Sequence, residues 1–207
     1  LVGPCRQQLA GPARACLEMA RAVALGRAAT GRAGVRLNFS RFPPRTDVIL
    51  NVNLDGGFRP GEHSATWGVV VHDVSRDVNS ARAGRTEQVA DPFGAEVVAF
   101  TQAISTATEL GVLQVVFETD SKLLQEALDL GRVDSCPYAA LIEDSKFQLM
   151  MWFSRQQVLL CHREVNSVVH ELAQVGRDCL PNECMMWDYD VPPRVALCVL
   201  GDLSEHR

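Results

Sequence analysis

The sequence lacks the long apolar run that a membrane-spanning helix needs, although 47% of its 207 residues are hydrophobic. It also lacks paired cysteine spacing, because its seven cysteines include no C-x-x-C motif. This pattern argues against a disulfide-rich secreted domain and against a zinc finger. We therefore expect a soluble protein from a reducing, intracellular compartment, with enough apolar residues for one sizeable core.

Acidic residues are scarce in the first 36 positions, which hold six arginines and Glu18 as the single acid. This stretch has a net charge of +5, and because the whole chain carries −5, about −10 falls on the remaining residues. An organelle transit peptide and a disordered remnant of a longer product both fit this composition. The low serine content and the start at Leu1 favour the remnant.

The proline pair Pro43–Pro44 predicts a domain boundary, because it ends any helix and leads into an extended segment. We expect a poorly ordered leader at 1–44, a folded domain at 45–178 and a C-terminal tail at 179–207. For the tail, the sequence leaves open whether it folds back on the domain or binds a partner.

Hydrophobic periodicity within the predicted domain indicates an α/β fold with elements in the order βββαβααβα. Short connections favour an antiparallel meander of the first three strands. Asp91 and Pro92 are placed to begin the first helix, and Gly111 to end it. The strands are predicted at 47–55, 64–73, 78–89, 113–120 and 156–162, and the helices at 92–110, 121–130, 138–153 and 165–177.

Three acidic residues fall where this topology brings chain segments together. If the first and fourth strands are parallel neighbours, Asp55 and Asp120 lie at adjacent carboxyl ends, where open α/β sheets bind ligands. Glu96 borders the apolar face of the crossover helix. Converging carboxylates repel one another unless they share a proton or a cation, and oxygen ligands suit Mg²⁺ or Mn²⁺. Two ions about 3.5–4 Å apart would serve phosphodiester hydrolysis.

Each acid also has a plainer interpretation. Asp55 can begin a turn at "DGGF", and Asp120 can cap the helix that follows it. Glu96 can be a solvated acid that interacts with the helix dipole. Taken singly these interpretations are the commoner ones, but they do not explain why all three acids converge.

Several motifs together resemble the ribonuclease H superfamily, most closely its plant branch related to the reverse-transcriptase-associated domain. They are "NVNLDGGF", "WGVVVHD", "GAEVVAF", "FETDSKLLQEAL" and "REVNSVVHELA", in that order over about residues 45–178. The resemblance implies a ribonuclease H-like fold, with a mixed five-stranded sheet and helices on both faces, and metal-dependent cleavage of RNA paired with DNA. It also implies metal-binding and catalytic roles for Asp55, Glu96 and Asp120.

The sequence departs from the family pattern in the last helix, where "NSVVHELA" has His170 in place of a fourth acid. Imidazole is a poor ligand for Mg²⁺, so we expect a weaker second metal and treat His170 as a partial substitute in catalysis. The Lys- and Trp-rich segment with which some members grip hybrids is also missing. Affinity for nucleic acid is therefore expected to be modest and sensitive to salt.

The leading functional prediction is endonucleolytic hydrolysis of the RNA strand of RNA·DNA hybrids with two Mg²⁺ ions, Mn²⁺ being an alternative. Candidate substrate-binding residues are Asn53, Gly56, Ser121 and Asn166, and the Asn53 amide is of the type that meets a ribose hydroxyl. Two alternatives remain open: a catalytically degenerate module that binds nucleic acid or protein, and a fragment of a retroelement-derived polyprotein.

Overall fold

The computed structural model describes residues 5–8, 45–130 and 136–196, which form one mixed sheet with helices on both faces. The strand order is β1-β7-β4-β3-β2-β5-β6. The strands are β1 Cys5–Gln8, β2 Arg45–Arg59, β3 Ser64–His72, β4 Val78–Glu87, β5 Val112–Thr119, β6 Arg155–Leu160 and β7 Glu183–Asp188. The helices are α1 Pro92–Glu109, α2 Lys122–Leu130, α3 Ala139–Trp152 and α4 Ser167–Val175, with short 3-10 turns at Pro60–Glu62 and Gly176–Asp178.

The predicted fold class and the order βββαβααβα are confirmed for the domain. β2, β3 and β4 form the antiparallel meander, and β2 pairs in parallel with β5, which pairs in parallel with β6. The sheet is larger than the five strands expected. β7 pairs with the outer edge of β4 and β1 pairs with β7, so the backbone groups of β4 that would otherwise be open are hydrogen-bonded.

The predicted tail therefore contributes a strand to the sheet through Glu183–Asp188. The predicted leader lies outside the described residues except for Cys5–Gln8, and so do residues 197–207 of the tail. No helix in the described ranges is both long enough and apolar enough to cross a bilayer.

The two faces of the sheet are covered differently. On one face, Leu50, Val52 and Leu54 of β2 are buried under α1, within a large apolar cluster that also includes Phe100 and Phe117. On the other face, α4 packs over β3 and β2 above a smaller cluster. The alternation along β2 places Asn51, Asn53 and Asp55 on this second face.

α1 begins as predicted, because the Asp91 side chain accepts a hydrogen bond of 2.8 Å from the backbone N–H of Gly94, and Pro92 fits the first turn. β2 does not end at Asp55 as predicted. It continues to Arg59, since Gly56, Gly57 and Phe58 remain in the antiparallel ladder with β3. Asp55 therefore lies inside a strand, just beyond the last β2–β5 pair, which joins Asn53 and Glu118.

Candidate metal centre

Two glycines let helices approach Asp55 from opposite faces of the sheet. A Cβ atom on Gly56 would lie 2.3 Å from the Ala95 carbonyl oxygen and 2.8 Å from the Glu96 nitrogen, so only glycine lets the first turn of α1 come this close. A Cβ atom on Gly68, which pairs with Asp55 across the sheet, would lie 2.4 Å from the Val169 carbonyl oxygen of α4. The sequence thus places residues of α1 and α4 beside Asp55.

The three predicted acids come together. Asp55, Glu96 and Asp120 each present a carboxylate oxygen, and these three atoms lie within 4.8 Å of one another. The plainer interpretations of two of them fail. Asp55 pairs with Gly68 inside β2 and begins no turn. The cap of α2 is made by Ser121, whose Oγ accepts a hydrogen bond from the Leu124 N–H.

Burial and mutual repulsion dominate the electrostatics of this cluster. Desolvation, followed by the charges of Asp55 and Asp120, raises the pKa of Glu96 to about 9. Desolvation also raises the pKa of Asp55, although the hydrogen bond from His170 opposes the shift. The Oε2 atom of Glu96 is buried without a hydrogen-bond partner. A buried carboxyl oxygen of this kind requires a proton or a cation.

His170 lies on α4, and its side chain reaches Asp55. The sequence predicts a histidine here in place of a fourth acid. Its Nδ1 lies 3.0 Å from Asp55 Oδ2, and its side chain is 41% exposed. A protonated imidazole here attracts the carboxylate that Glu96 and Asp120 repel. His170 therefore contacts the cluster directly.

The four candidate substrate-binding residues lie near the cluster but differ in their burial and contacts. Gly56 contacts the start of α1, and Ser121 caps α2. Asn166 is almost fully buried, and its Nδ2 donates to the Leu54 carbonyl oxygen at 2.9 Å and reaches Asp120 Oδ1 at 3.5 Å. Asn53 donates from Nδ2 to Glu118 Oε2 at 2.9 Å.

Sequence reasoning missed Arg163, Glu118 and His72. Arg163 follows β6; desolvation raises the pKa of both Asp55 and Glu96, and the positive charge of Arg163 opposes this rise slightly. Glu118 precedes Asp120 by two residues and pairs with Asn53, so period-two alternation along β5 would have pointed to it. His72 lies at the end of β3, with Nε2 2.9 Å from Asn53 Oδ1, and only the register of β2 and β3 reveals that contact.

The residues present fit a divalent cation. The cluster offers oxygen ligands only, it carries a buried oxygen without a partner, and it lies beyond the carboxyl end of β5. Such a donor set suits hard cations such as Mg²⁺ and Mn²⁺ better than it suits soft metals. The cluster is therefore a candidate metal site.

Comparison with known proteins is consistent with this geometry. The reverse transcriptase-like family model matches residues 53–176, which include the three clustered acids and His170. By sequence, none of the curated proteins matches the chain.

Solved structures with this fold include three RNase H domains. RNase H1 of Halobacterium salinarum is 19% identical, with a TM-score of 0.58, over 63% of this chain and 98% of that one. The N-terminal RNase H domain of a Mycobacterium tuberculosis protein is 23% identical, with a TM-score of 0.57, over 63% and 94%. RNase H1 isolated from compost, bound to an RNA/DNA hybrid, is 19% identical, with a TM-score of 0.54, over 59% and 92%.

At these identities the structural likeness establishes the fold, and the family match covers more than half of the sequence. The chain belongs to the reverse transcriptase-like family of the ribonuclease H-like superfamily.

Proposed function

We propose that the protein hydrolyses the RNA strand of RNA·DNA hybrids endonucleolytically in a metal-dependent reaction. The observation that supports this proposal is the carboxylate cluster, in which oxygens of Asp55, Glu96 and Asp120 lie within 4.8 Å of one another at the ligand-binding edge of the sheet. Three acids held this close, with Glu96 partly buried, destabilise the folded state through repulsion and desolvation unless a cation neutralises them.

In this proposal Asp55, Glu96 and Asp120 would hold the two ions through their carboxylate oxygens. Two Mg²⁺ ions, or Mn²⁺ in their place, would supply activation of water and stabilisation of the departing 3′ oxygen. Glu96 must first give up the proton that its raised pKa retains. Asn166 fixes the backbone before Asp55 through the Leu54 carbonyl oxygen, and Arg163 adds positive charge for an anionic substrate.

The substrate contacts in this proposal come from residues beside the cluster. Gly56 and Ser121 adjoin Asp55 and Asp120 in the sequence, and Asn53 lies on the same face of β2 as Asp55. Asn166 is almost fully buried, so its part in substrate binding is indirect: its Nδ2 holds the Leu54 carbonyl oxygen and reaches Asp120 Oδ1. His170 takes the place of the fourth acid, so the second ion binds more weakly and Mn²⁺, which accepts nitrogen ligands, supports turnover better than Mg²⁺.

A second candidate function is a non-catalytic module that binds nucleic acid or protein. The contact between His170 Nδ1 and Asp55 Oδ2 favours it, because an imidazolium there neutralises part of the cluster without any metal. The acidic charge of the domain favours the protein-binding form of this module, since hybrids are polyanions and an acidic surface repels them.

The test is cleavage of a labelled RNA·DNA hybrid by the purified protein with Mg²⁺, with Mn²⁺ and with EDTA, against Asp120→Asn. Metal-dependent cutting of the RNA strand that disappears in the variant would establish the enzyme. Equal background cutting by both proteins, at concentrations high enough to offset weak binding, would favour the binding module.

The family match also supports a proposed origin in a retroelement. In this proposal residues 1–44 are a linker from an upstream domain, and the protein acts inside the cell, as its cysteine spacing predicts. Reading the genomic sequence upstream of Leu1 tests this origin. An adjoining polymerase reading frame would support it, and an independent initiator followed directly by this chain would contradict it.

A further inference from the structure

A pocket of about 160 Å³ lies next to the carboxylate cluster, on the sheet face that carries Asp55. Two of its lining residues, Asn53 of β2 and Glu118 of β5, precede Asp55 and Asp120 by two positions in the sequence. At about 3.3 Å per residue, the pocket wall is therefore about 7 Å from the cluster along the strand direction. β2 and β5 thus border both the carboxylate cluster and this pocket.

A chain of hydrogen bonds fixes the polar wall of the pocket. Asn53 donates from Nδ2 to Glu118 Oε2 at 2.9 Å, and its Oδ1 lies 2.9 Å from His72 Nε2. His72 Nδ1 lies 2.8 Å from the Asp73 carbonyl oxygen, so both ring nitrogens of His72 have a polar neighbour. The Asn53 side chain is buried and cannot rotate without losing two bonds.

This wall leaves hydrogen-bonding capacity for a ligand. A carboxylate can accept about four hydrogen bonds, and Asn53 uses one position on Glu118. Asn51 and the exposed Arg76 also line the pocket and supply donors. The pocket therefore offers an acceptor at Glu118 and donors at Asn51 and Arg76.

The remaining walls are apolar and come from two sides. Val70 and Val78 belong to the sheet, whereas Val165, Val168 and Val169 belong to the start of α4 and the turn before it. A cavity of about 150 Å³ accommodates one six-membered aromatic ring. A pocket of about 160 Å³ with valine walls and a polar edge therefore suits a single planar heterocycle better than a fused pair of rings.

We propose that this pocket binds one unpaired cytosine base of the nucleic acid whose backbone lies at the carboxylate cluster. The proposal rests on the proposed function, which supplies a nucleic acid at that edge. Cytosine fits because its N4 amino group donates to a carboxylate, while its ring carries acceptors for Asn51 and Arg76. Uracil has an oxygen at the same position and would place it against the Glu118 carboxylate.

An unpaired base is required because a base stacked in a duplex cannot enter a pocket. Bases that are already single-stranded cost the least to unstack. The pocket then favours substrates with an unpaired cytidine beside the cleaved bond, such as the junction between a hybrid and a single strand.

The experiment is a titration of the full 207-residue chain with cytidine and with uridine in EDTA, followed through valine methyl NMR signals. Cytidine is expected to shift the signals of the pocket valines with millimolar affinity, at least about tenfold tighter than uridine. Glu118→Gln should remove this preference, because an amide can both donate and accept. Glu126→Gln, at an exposed acid on α2, is the matched control.

A second pair of variants tests the location. Val165→Trp should fill the pocket and weaken cytidine binding at least about tenfold, whereas Leu180→Trp, at an exposed apolar residue outside the lining, should not. Absent cytidine binding, equal affinity for both nucleosides, or full binding by Val165→Trp would each overturn the proposal. Because EDTA removes any dependence on cleavage, these outcomes are independent of whether the protein is a nuclease.

Discussion

Asp55 is approached by α1 on one face of the sheet and by α4 on the other, and the two helices bring opposite chemistry to the same carboxylate. α1 brings Glu96, whose Oε2 is buried without a partner and whose pKa is raised to about 9. α4 brings His170, whose Nδ1 lies 3.0 Å from Asp55 Oδ2. One contact is repulsive when both groups are charged, and the other is attractive.

This difference shows that the charge of the cluster can be neutralised in two ways, one on each face of the sheet. On the α1 side a cation would satisfy an oxygen that otherwise retains a proton. On the α4 side the chain supplies its own potential cation, at the position where the family pattern has a fourth acid. Gly56 allows the close approach of α1, and Gly68 allows the close approach of α4. The backbone contacts on the two faces are therefore alike, whereas the charges of the side chains that they bring to Asp55 are opposite.

The largest effect is expected from removing the carboxylate that belongs to neither helix. If the proposed function is right, Asp120→Asn should lower the rate of hybrid cleavage at least about 1000-fold, because a proposed metal ligand is lost. The same change should raise the melting temperature in EDTA by about 2–5 °C, since Asp120 repels both Asp55 and Glu96. Asp129→Asn, at an exposed acid on α2, should change neither quantity. An unchanged melting temperature of Asp120→Asn would contradict the repulsion.

The close packing of α1 against β2 can be disrupted without changing any charged residue. Gly56→Ala should destabilise the fold by about 3 kcal/mol, because the added methyl group meets the Ala95 carbonyl oxygen and α1 must move. Gly61→Ala is the matched control, since nothing lies within 4 Å of its added Cβ atom. Urea denaturation of both variants gives the comparison, and equal stability would show that α1 does not depend on Gly56.

Much of this arrangement could be predicted from the sequence, because it follows from local patterns. Alternation along β2 placed Asn53 and Asp55 on one face, and the Asp91–Pro92 pair marked the start of α1. The convergence of Asp55, Glu96 and Asp120 then followed from the topology of parallel strands joined by a helix.

What could not be predicted depends on contacts between distant segments. β2 extends past Asp55 because β3 pairs with it, and no local signal distinguishes that hairpin from a turn at "DGGF". β7 joins the sheet because the edge of β4 is open, which only the assembled sheet reveals. The bonds of Asn53 to Glu118 and His72 depend on two strand registers at once.

The raised pKa of Glu96 makes stability depend on pH when no metal is bound. The folded state holds the Glu96 proton up to about pH 9, whereas the unfolded chain releases it near the ordinary value of 4.5. The folded state therefore binds more protons between these values, and its stability should fall as pH rises from 5 to 9. Asp55, whose pKa is also raised, adds a decrease of the same sign that begins near its ordinary value of 3.8.

The measurement is the melting temperature in EDTA across that pH range, with Glu96→Gln as the test variant. Because a neutral amide replaces the titrating group, the slope should become shallower, while Glu126→Gln should keep the original slope. A divalent ion should also reduce the slope, since it takes the place of the proton. An identical slope in Glu96→Gln would mean that Glu96 does not titrate as the burial indicates.

The smallest effect is expected from His170→Asp. With this change α4, like α1, would bring a carboxylate to Asp55. The new carboxylate should strengthen Mg²⁺ binding by up to about tenfold, because a poor ligand for Mg²⁺ becomes a good one. It should also lower the melting temperature in EDTA by about 2 °C, because the attraction to Asp55 becomes repulsion. His63→Asp, at an exposed histidine outside the cluster, should do neither. Mg²⁺ titration calorimetry decides the point, because equal Mg²⁺ affinity of His170→Asp and the parent would show that the imidazole does not limit metal binding at this site.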